Sequence, residues 1–369
     1  MAAKKRAREL GIPLPGRPGP FNAITDVAGV EGGFSTVVFG DPDSCVNGQS
    51  ACARTGGTAI LPRGRRRSAV FAGRHDLNGN GEMTGTHWID DSGFLHGPIM
   101  ITNTNSVGIV RDTAAKWMIE NRFFYPLNLD GREMDGHGFF YPVVGETYDG
   151  FLNDINGFHV QASHVYEALE SCKPGPVAEG NVGGGTGMRC HGFKGGTGTA
   201  SRVLSAKEGS YTVGVLVQAN HGDLKWFQIN GVSMAELGAQ SPDGTEAMKD
   251  GTGSIIVVIA TDAPLLPHQL SKVCRRAPIG IGRLGGGCSS SSGDIFVAFS
   301  TANEGAYSYT YSTVTMMHDD LVNPLFRAAA EATEEAILNA LCAAETMVGR
   351  DGTTAYALPV DKVLSILAR

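Results

Sequence analysis

The stretch Asp250-Gly-Thr-Gly-Ser-Ile-Ile-Val-Val-Ile-Ala-Thr-Asp-Ala-Pro-Leu-Leu-Pro-His268, DGTGSIIVVIATDAPLLPH, sets small residues and one serine directly before a run of six apolar residues. A short continuous apolar run bounded by turn residues predicts a core strand, here over Ser254 to Ala260. Its entry through Gly-Thr-Gly-Ser is unusual, because glycine and serine neither pack nor favour strands.

Around this strand the chain alternates element types. Short apolar runs from Phe21 to Leu61 predict strands and hairpins, and PIMITNTNSVGIV from Pro98 predicts a strand followed by a turn. Helices are expected over Arg111–Asn121, capped near Asp112, through SHVYEALE at Ser163–Glu170, and over Asn323–Met347, where apolar residues recur at three and four. YTVGVLVQ from Tyr211 predicts another strand, and the glycine-rich run from Gly175 to Gly198 predicts a loop packed against something or a lid. Mixed elements without a clear linker indicate α/β or α+β layers.

Composition narrows the function classes. The 369 residues are 42% hydrophobic and 18% charged, which describes a folded globular protein rather than a disordered one. The net charge of -7 argues against a nucleic-acid partner, and the basic run Arg63–Arg67 is expected to be a solvated loop. No window reaches the roughly 18 apolar residues of a membrane span. The first 20 residues carry positive charge without a following apolar region, so the reading is a cytoplasmic protein with a loose Pro/Gly arm. Seven cysteines without a Cys-x-x-Cys pair suggest free thiols, Cys288 being the one placed in a Gly/Ser-rich loop. Glycine is the anomaly: 51 residues imply many tight turns or close backbone approaches.

Several motifs fail on their chemistry. DLNGNGEMTGTH from Asp76 starts like a calcium loop, but its twelfth position is His87 where a bidentate Glu is needed. GNVGGGTG from Gly180 lacks the Lys-Ser/Thr of a phosphate loop, and no Gly-x-Ser-x-Gly elbow or His-Glu-x-x-His occurs. His87, Asp90, Asp91 and His96 are expected on a solvated turn, so neither metal nor cofactor is assigned.

Gly253-Ser254 offers a different chemistry. A serine at the start of a buried strand is held rigidly, and a preceding glycine leaves its carbonyl open to attack by the Ser254 hydroxyl. The resulting ester, cleaved by water, leaves an N-terminal serine. Its α-amine, with an ordinary pKa of about 7.7–8, would serve as base for its own hydroxyl, as in N-terminal threonine nucleophiles. A simple turn before a strand explains the same residues.

Other segments decide between these. GPFNAITDVAGV from Gly19, RTGGTAILPRG from Arg54, LNGNGEMTG from Leu77, VVGETYDGFLND from Val143, CHGFKGGTGTASR from Cys190, VLVQANHG from Val215 and SSGDIFVAFSTAN from Ser291 are similar, as a set, to one family. The chain resembles the L-aminopeptidase/D-Ala-esterase/amidase family, which includes the β-peptidyl aminopeptidases, over about residues 19–352. The resemblance implies an α+β fold, a four-layer αββα sandwich akin to N-terminal nucleophile hydrolases with different connectivity. It implies one domain over 1–369, cut between Gly253 and Ser254 into chains 1–253 and 254–369.

Site roles follow from the same resemblance. Ser254 matches the nucleophile, Asn220 the oxyanion-hole residue, and Glu146 the carboxylate that holds the substrate amine. Tyr148 matches a tyrosine lining the site. Ser292 and Asp294, two apart at a strand entry and so able to face one side, match a serine and an acid that polarise the nucleophile. Asn103 and Asn105 are candidates only for shaping the pocket. The implied substrates are small peptides, amides or esters with a free amine, and the implied assembly is a homo-oligomer, a tetramer or larger. Acyl transfer to an amine with the same residues, or a non-catalytic binding role on the same fold, are the competing readings. GVEGGFST, HGDLKWFQING and the insertion-like DPDSCVNGQSAC from Asp41 depart from the family pattern.

Overall fold

The computed structural model describes residues 5–41, 45–46, 49–50, 52–123, 139–240, 253–308 and 311–369. Most of the insertion at 41–52, and residues 250–252 of the stretch quoted first, lie outside the described residues.

The apolar run forms the strand Ser254–Thr261, every residue of which is buried. It lies inside a six-stranded sheet, in the order Gly196–Val203, Thr212–Asn220, Ser254–Thr261, Gly293–Ser300, Val70–Gly79, Phe94–Leu95. Thr212–Asn220 pairs with it antiparallel and Gly293–Ser300 parallel. The absence of polar alternation now has a cause. Ile256, Val258 and Ala260 pack with Ile60, Ile99 and Val143 of a second sheet, whereas Ile255, Val257 and Ile259 pack with Leu270, Val273 and Ala336 of covering helices. A strand covered on both faces has no reason to alternate.

The second sheet runs Glu31–Phe39, Ala53–Arg65, Ile99–Asn103, Val143–Thr147. Its outer face buries Leu61, Met100 and Val144 against Val110, Ala114 and Trp117 of the helix Val107–Glu120 and Val165 and Leu169 of the helix Ala162–Glu170. The helices Pro267–Cys274, Ala277–Arg283 and Asn323–Ala343 cover the six-stranded sheet. The layers are therefore helix, sheet, sheet, helix. Truncating Ile256 to alanine, between the two sheets, is expected to cost about 2–5 kcal/mol, read as a lowered urea midpoint with an unchanged slope.

Some expectations change. The helix expected from Arg111 begins at Val107, so Asp112 lies inside it. The turn that precedes it is capped by Asn103, whose side chain accepts from the Ser106 amide at 3.0 Å. The last long helix stops at Ala343 rather than Met347. There Asn181 holds Glu345 by two bonds, donating to its carbonyl at 2.9 Å and accepting from its amide at 3.2 Å, which draws the chain out of helical geometry. Arg63 is not solvated: it lies in the buried part of its strand and donates to the carbonyls of Ala69, Thr301 and Ala302 at 2.7, 3.0 and 2.6 Å. Nor is the described part of the N-terminal arm loose. Ala7 and Ile12 enter the core, and Arg6 reaches the carbonyls of Asn22 and Thr199 at 2.8 and 2.6 Å. His87, Asp90 and Asp91 sit on a short helix, Thr86–Ser92, where Asp90 accepts from Arg74 at 2.8 Å. The glycine-rich run is a packed segment, with Gly183–Gly187 buried in a 3-10 turn between the sheets' ends. Among the described residues no helix is long and apolar enough to cross a membrane.

Candidate active site

Ser254 is the first residue of its strand, with Asn220 opposite it on one neighbour and Gly293 on the other. Because Thr212–Asn220 ends where Ser254–Thr261 begins, the two residues lie side by side at one end of the sheet. The Ser254 hydroxyl donates to the Gly253 carbonyl at 2.7 Å and accepts from the Gly293 amide at 3.2 Å. The Gly293 amide also reaches the Gly253 carbonyl, at 3.3 Å. The carbonyl before the serine is thus contacted by two donors, which draw electron density from its carbon. Gly253 itself has φ +147°, a conformation that favours glycine.

Gly293 must also be a glycine. A Cβ there would lie 2.4 Å from the Asn80 carbonyl oxygen and 3.1 Å from the Gly81 Cα, both backbone atoms that have no rotamer to escape through. This contact brings the segment after Val70–Gly79 against the start of Gly293–Ser300, beside Ser254.

Asn220 is buried, and both ends of its amide are engaged. Its Oδ1 accepts from the Arg189 amide at 2.9 Å, and its Nδ2 donates to the Tyr148 carbonyl at 2.9 Å. A primary amide has two N–H groups, so the geometry fixes its plane and leaves one donor beyond the Tyr148 bond. The Tyr148 ring is half exposed and lies over Gly150. Its neighbour Asp149 is buried, accepts from Asn153 at 3.0 Å, and has its carboxyl pushed up to about 7 by burial.

Glu146 lies on Val143–Thr147, and its carboxylate is buried. Its Oε1 accepts from the Glu82 amide at 3.0 Å and its Oε2 from the Thr104 hydroxyl. Burial raises its pKa, the bonds from Thr104 and Glu82 oppose that rise, and the nearby Glu82 charge adds to it. Gly81 links this carboxylate to the serine: a Cβ placed on it would lie 2.9 Å from Glu146 Oε1 and 3.4 Å from Gly293 Cα.

Ser292 and Asp294 face one side, as their spacing predicts. The Ser292 hydroxyl donates to Asp294 Oδ2 at 2.8 Å. Asn78 bridges the pair, its Nδ2 lying 3.1 Å from Ser292 Oγ and 3.4 Å from Asp294 Oδ2. Burial raises the Asp294 pKa, against the bonds from Ser292 and Asn78. Among the described residues no hydrogen bond joins Ser292 to Ser254; the link runs through the Gly293 amide between Ser292 and Asp294. A serine-to-serine relay is therefore not formed in the uncut chain.

The structure thus sets the Ser254 hydroxyl and the Gly293 amide on one carbonyl, with Asn220 opposite Ser254 and bonded to the Tyr148 carbonyl, Glu146 linked through Gly81, and the Ser292–Asp294 pair flanking Gly293. Asn103 and Asn105 do framework work: Asn103 donates to Thr55 Oγ1 at 2.8 Å, and Asn105 donates to Asn156 Oδ1 at 3.2 Å. Sequence reading passed over Asn78, Glu82 and Thr104. Asn78 and Glu82 lie in DLNGNGEMTGTH, the motif tested as a calcium loop and counted among the family's motifs without a role for either residue.

Comparisons with known proteins agree over nearly the whole chain. The β-peptidyl aminopeptidase BapA of Sphingosinicella microcystinivorans is 48% identical, with 99% of this chain and 92% of that protein aligned. The β-peptidyl aminopeptidase BapA of Sphingosinicella xenopeptidilytica is 44% identical over 99% and 91%. Among solved structures, the L-aminopeptidase D-Ala-esterase/amidase of Ochrobactrum anthropi, described as a serine aminopeptidase and a variant of the Ntn-hydrolase fold, superposes with a TM-score of 0.88 at 46% identity. That alignment covers 99% of this chain and 98% of the other. The layers are those of that fold, and the α+β class expected from sequence stands. The model of peptidase family S58 matches residues 22–355, and this chain, a peptide hydrolase, belongs to that family.

Proposed function

We propose that the chain is a single αββα domain that cuts itself between Gly253 and Ser254 and then acts as an N-terminal serine aminopeptidase. The observation that carries this reading is the Ser254 hydroxyl 2.7 Å from the Gly253 carbonyl, with the Gly293 amide on both groups. In self-cleavage the Ser254 oxygen attacks the Gly253 carbon, the C–N bond to Ser254 breaks, and water hydrolyses the ester. Chains 1–253 and 254–369 remain together.

In the mature site the freed α-amine takes the proton of the Ser254 hydroxyl as that oxygen attacks the substrate carbonyl. The free N–H of Asn220 donates to the oxyanion, and Tyr148 lines the same side. The acyl group passes to Ser254 and then to water. Ser292 and Asp294 orient the strand entry and stabilise the positive charge that develops near Ser254. Glu146 pairs with the substrate ammonium, which selects chain ends over internal bonds. Short peptides, amides and esters with a free amine are the substrates, β-amino acid residues included, as the names of the relatives suggest. The reading further takes the protein as a cytoplasmic homo-oligomer that needs no cofactor.

The direct test is N-terminal sequencing and mass spectrometry of purified protein, with a second start at Ser254 expected; an intact chain after prolonged incubation refutes self-cleavage. Glu146→Gln is expected to raise KM for free-amine substrates about 10–100-fold, as loss of a charge-assisted pair would, while kcat changes less. The pH profile should be bell-shaped: kcat/KM rises with pH as the new N-terminus loses its proton near about 7.7–8, because only the neutral amine is a base, and falls at higher pH as the substrate ammonium that Glu146 holds is deprotonated. At lower pH Glu146 adds a second loss, beginning above the ordinary carboxyl value because burial raises its pKa.

A further inference from the structure

Behind Asn220 the chain brings together three residues that the proposed reaction does not use. We propose that Cys190, His191 and His221 form a buried three-ligand binding site for one divalent transition-metal ion of the zinc type.

The geometry is that of a ligand set. One ligand atom from each residue lies within 4.8 Å of the others, and Cys190 Sγ is 3.9 Å from His221 Nδ1. A four-coordinate zinc with bonds of about 2.3 Å to sulfur and about 2.0–2.1 Å to nitrogen holds such atoms roughly 3.3–3.6 Å apart, so the three side chains draw together on binding. All three residues are buried, Cys190 and His191 completely.

The second observation is the imidazoles' missing partners. Neither ring nitrogen of His191 has a hydrogen bond, and His221 Nε2 has none. The Asp223 backbone approaches the His191 ring without completing one. Buried polar atoms are almost always paired, and a buried imidazole with neither nitrogen bonded, beside a thiol and a second imidazole, is what a site built for an ion leaves behind. The surroundings also set which nitrogen binds. His221 Nε2 points at Gly286, where a Cβ would lie 3.0 Å from it, so Nδ1 faces the thiol. His191 holds φ +49° and stacks on Phe227 with ring centroids 4.6 Å apart, a fixed orientation that a non-glycine residue adopts at some cost.

Chemically the site suits a borderline-soft ion, with one sulfur and two nitrogens. Binding replaces the Cys190 S–H bond with an S–metal bond and releases one proton to solvent; the metal keeps its oxidation state. Lys194, also fully buried, donates to the Gly195 carbonyl at 2.8 Å. The ion would clamp His221, next to Asn220, to Cys190, next to the Arg189 amide that holds Asn220 Oδ1. Sequence reading missed the set because Cys190-His191 and His221 lie on separate motifs.

The test is metal content, which is read independently of any catalysis. Full-length protein from zinc-supplemented cultures, dialysed against a chelator, is analysed by plasma mass spectrometry beside Cys190→Ser and His191→Phe. One zinc per chain in the parent, and background in both variants, is expected. Protein grown in cobalt should show a thiolate-to-cobalt charge-transfer band and tetrahedral ligand-field bands, the former lost in Cys190→Ser. A parent without zinc and without the thiolate band overturns the proposal, and so does full metal content in both variants. Where a variant fails to fold, the parent's cobalt spectrum still decides, because its absence alone is sufficient refutation.

Discussion

Ser254→Ala is expected to leave one 38.8 kDa chain on denaturing gels and to lower aminopeptidase activity by at least about 10⁴-fold. The hydroxyl is the proposed attacking atom in both self-cleavage and turnover, so its loss removes two steps at once. The size of the effect follows from nucleophile deletions in other serine hydrolases, where residues acting as a unit fail together. Folding is not expected to suffer. Ser254 makes only the bonds to Gly253 and Gly293, and the apolar strand behind it is untouched. A variant that still yields fragments, or retains activity, would remove Ser254 from the mechanism.

Asn220→Ala is expected to lower kcat about 10²–10³-fold, with a smaller change in KM. The substitution takes away the N–H proposed as the oxyanion donor. It also frees the Arg189 amide and the Tyr148 carbonyl, each of which loses its partner. Asn220→Asp isolates the Arg189 bond, since it keeps an acceptor for that amide but has no N–H for the Tyr148 carbonyl or the oxyanion. Equal loss in both variants, measured by steady-state kinetics on enzyme verified as cleaved, assigns the effect to the lost N–H groups. Recovery in Asn220→Asp would make Asn220 a framework residue.

What the sequence made legible followed from local chemistry. Six apolar residues in a row demanded a core strand, Gly253-Ser254 stood at its entry, and Ser292 and Asp294 were two apart and so on one side. What escaped depended on pairing across the chain. Asn78 meets Asp294 because Val70–Gly79 lies beside Gly293–Ser300 with a register shift between Asp294 and Ile295. No local pattern announces such a neighbour. Arg63 read as solvated because it opens a basic run; its five-residue neighbourhood carries no sign of the carbonyls at 301 and 302 that receive it. Glu146 was found only through its motif. Its hold on Glu82 and Thr104 depends on Val143–Thr147 running beside Ile99–Asn103.

The position of Ser254–Thr261 between two partner strands has a thermodynamic consequence. A break before Ser254 severs one covalent bond, but ladders on both edges still hold the strand. The native state is hardly altered, whereas the unfolded state becomes two molecules that can diffuse apart. Reassembly is then second order, and the folded fraction depends on dilution as an obligate heterodimer's does. The uncut chain refolds by finding itself; the cut one must first find its other half.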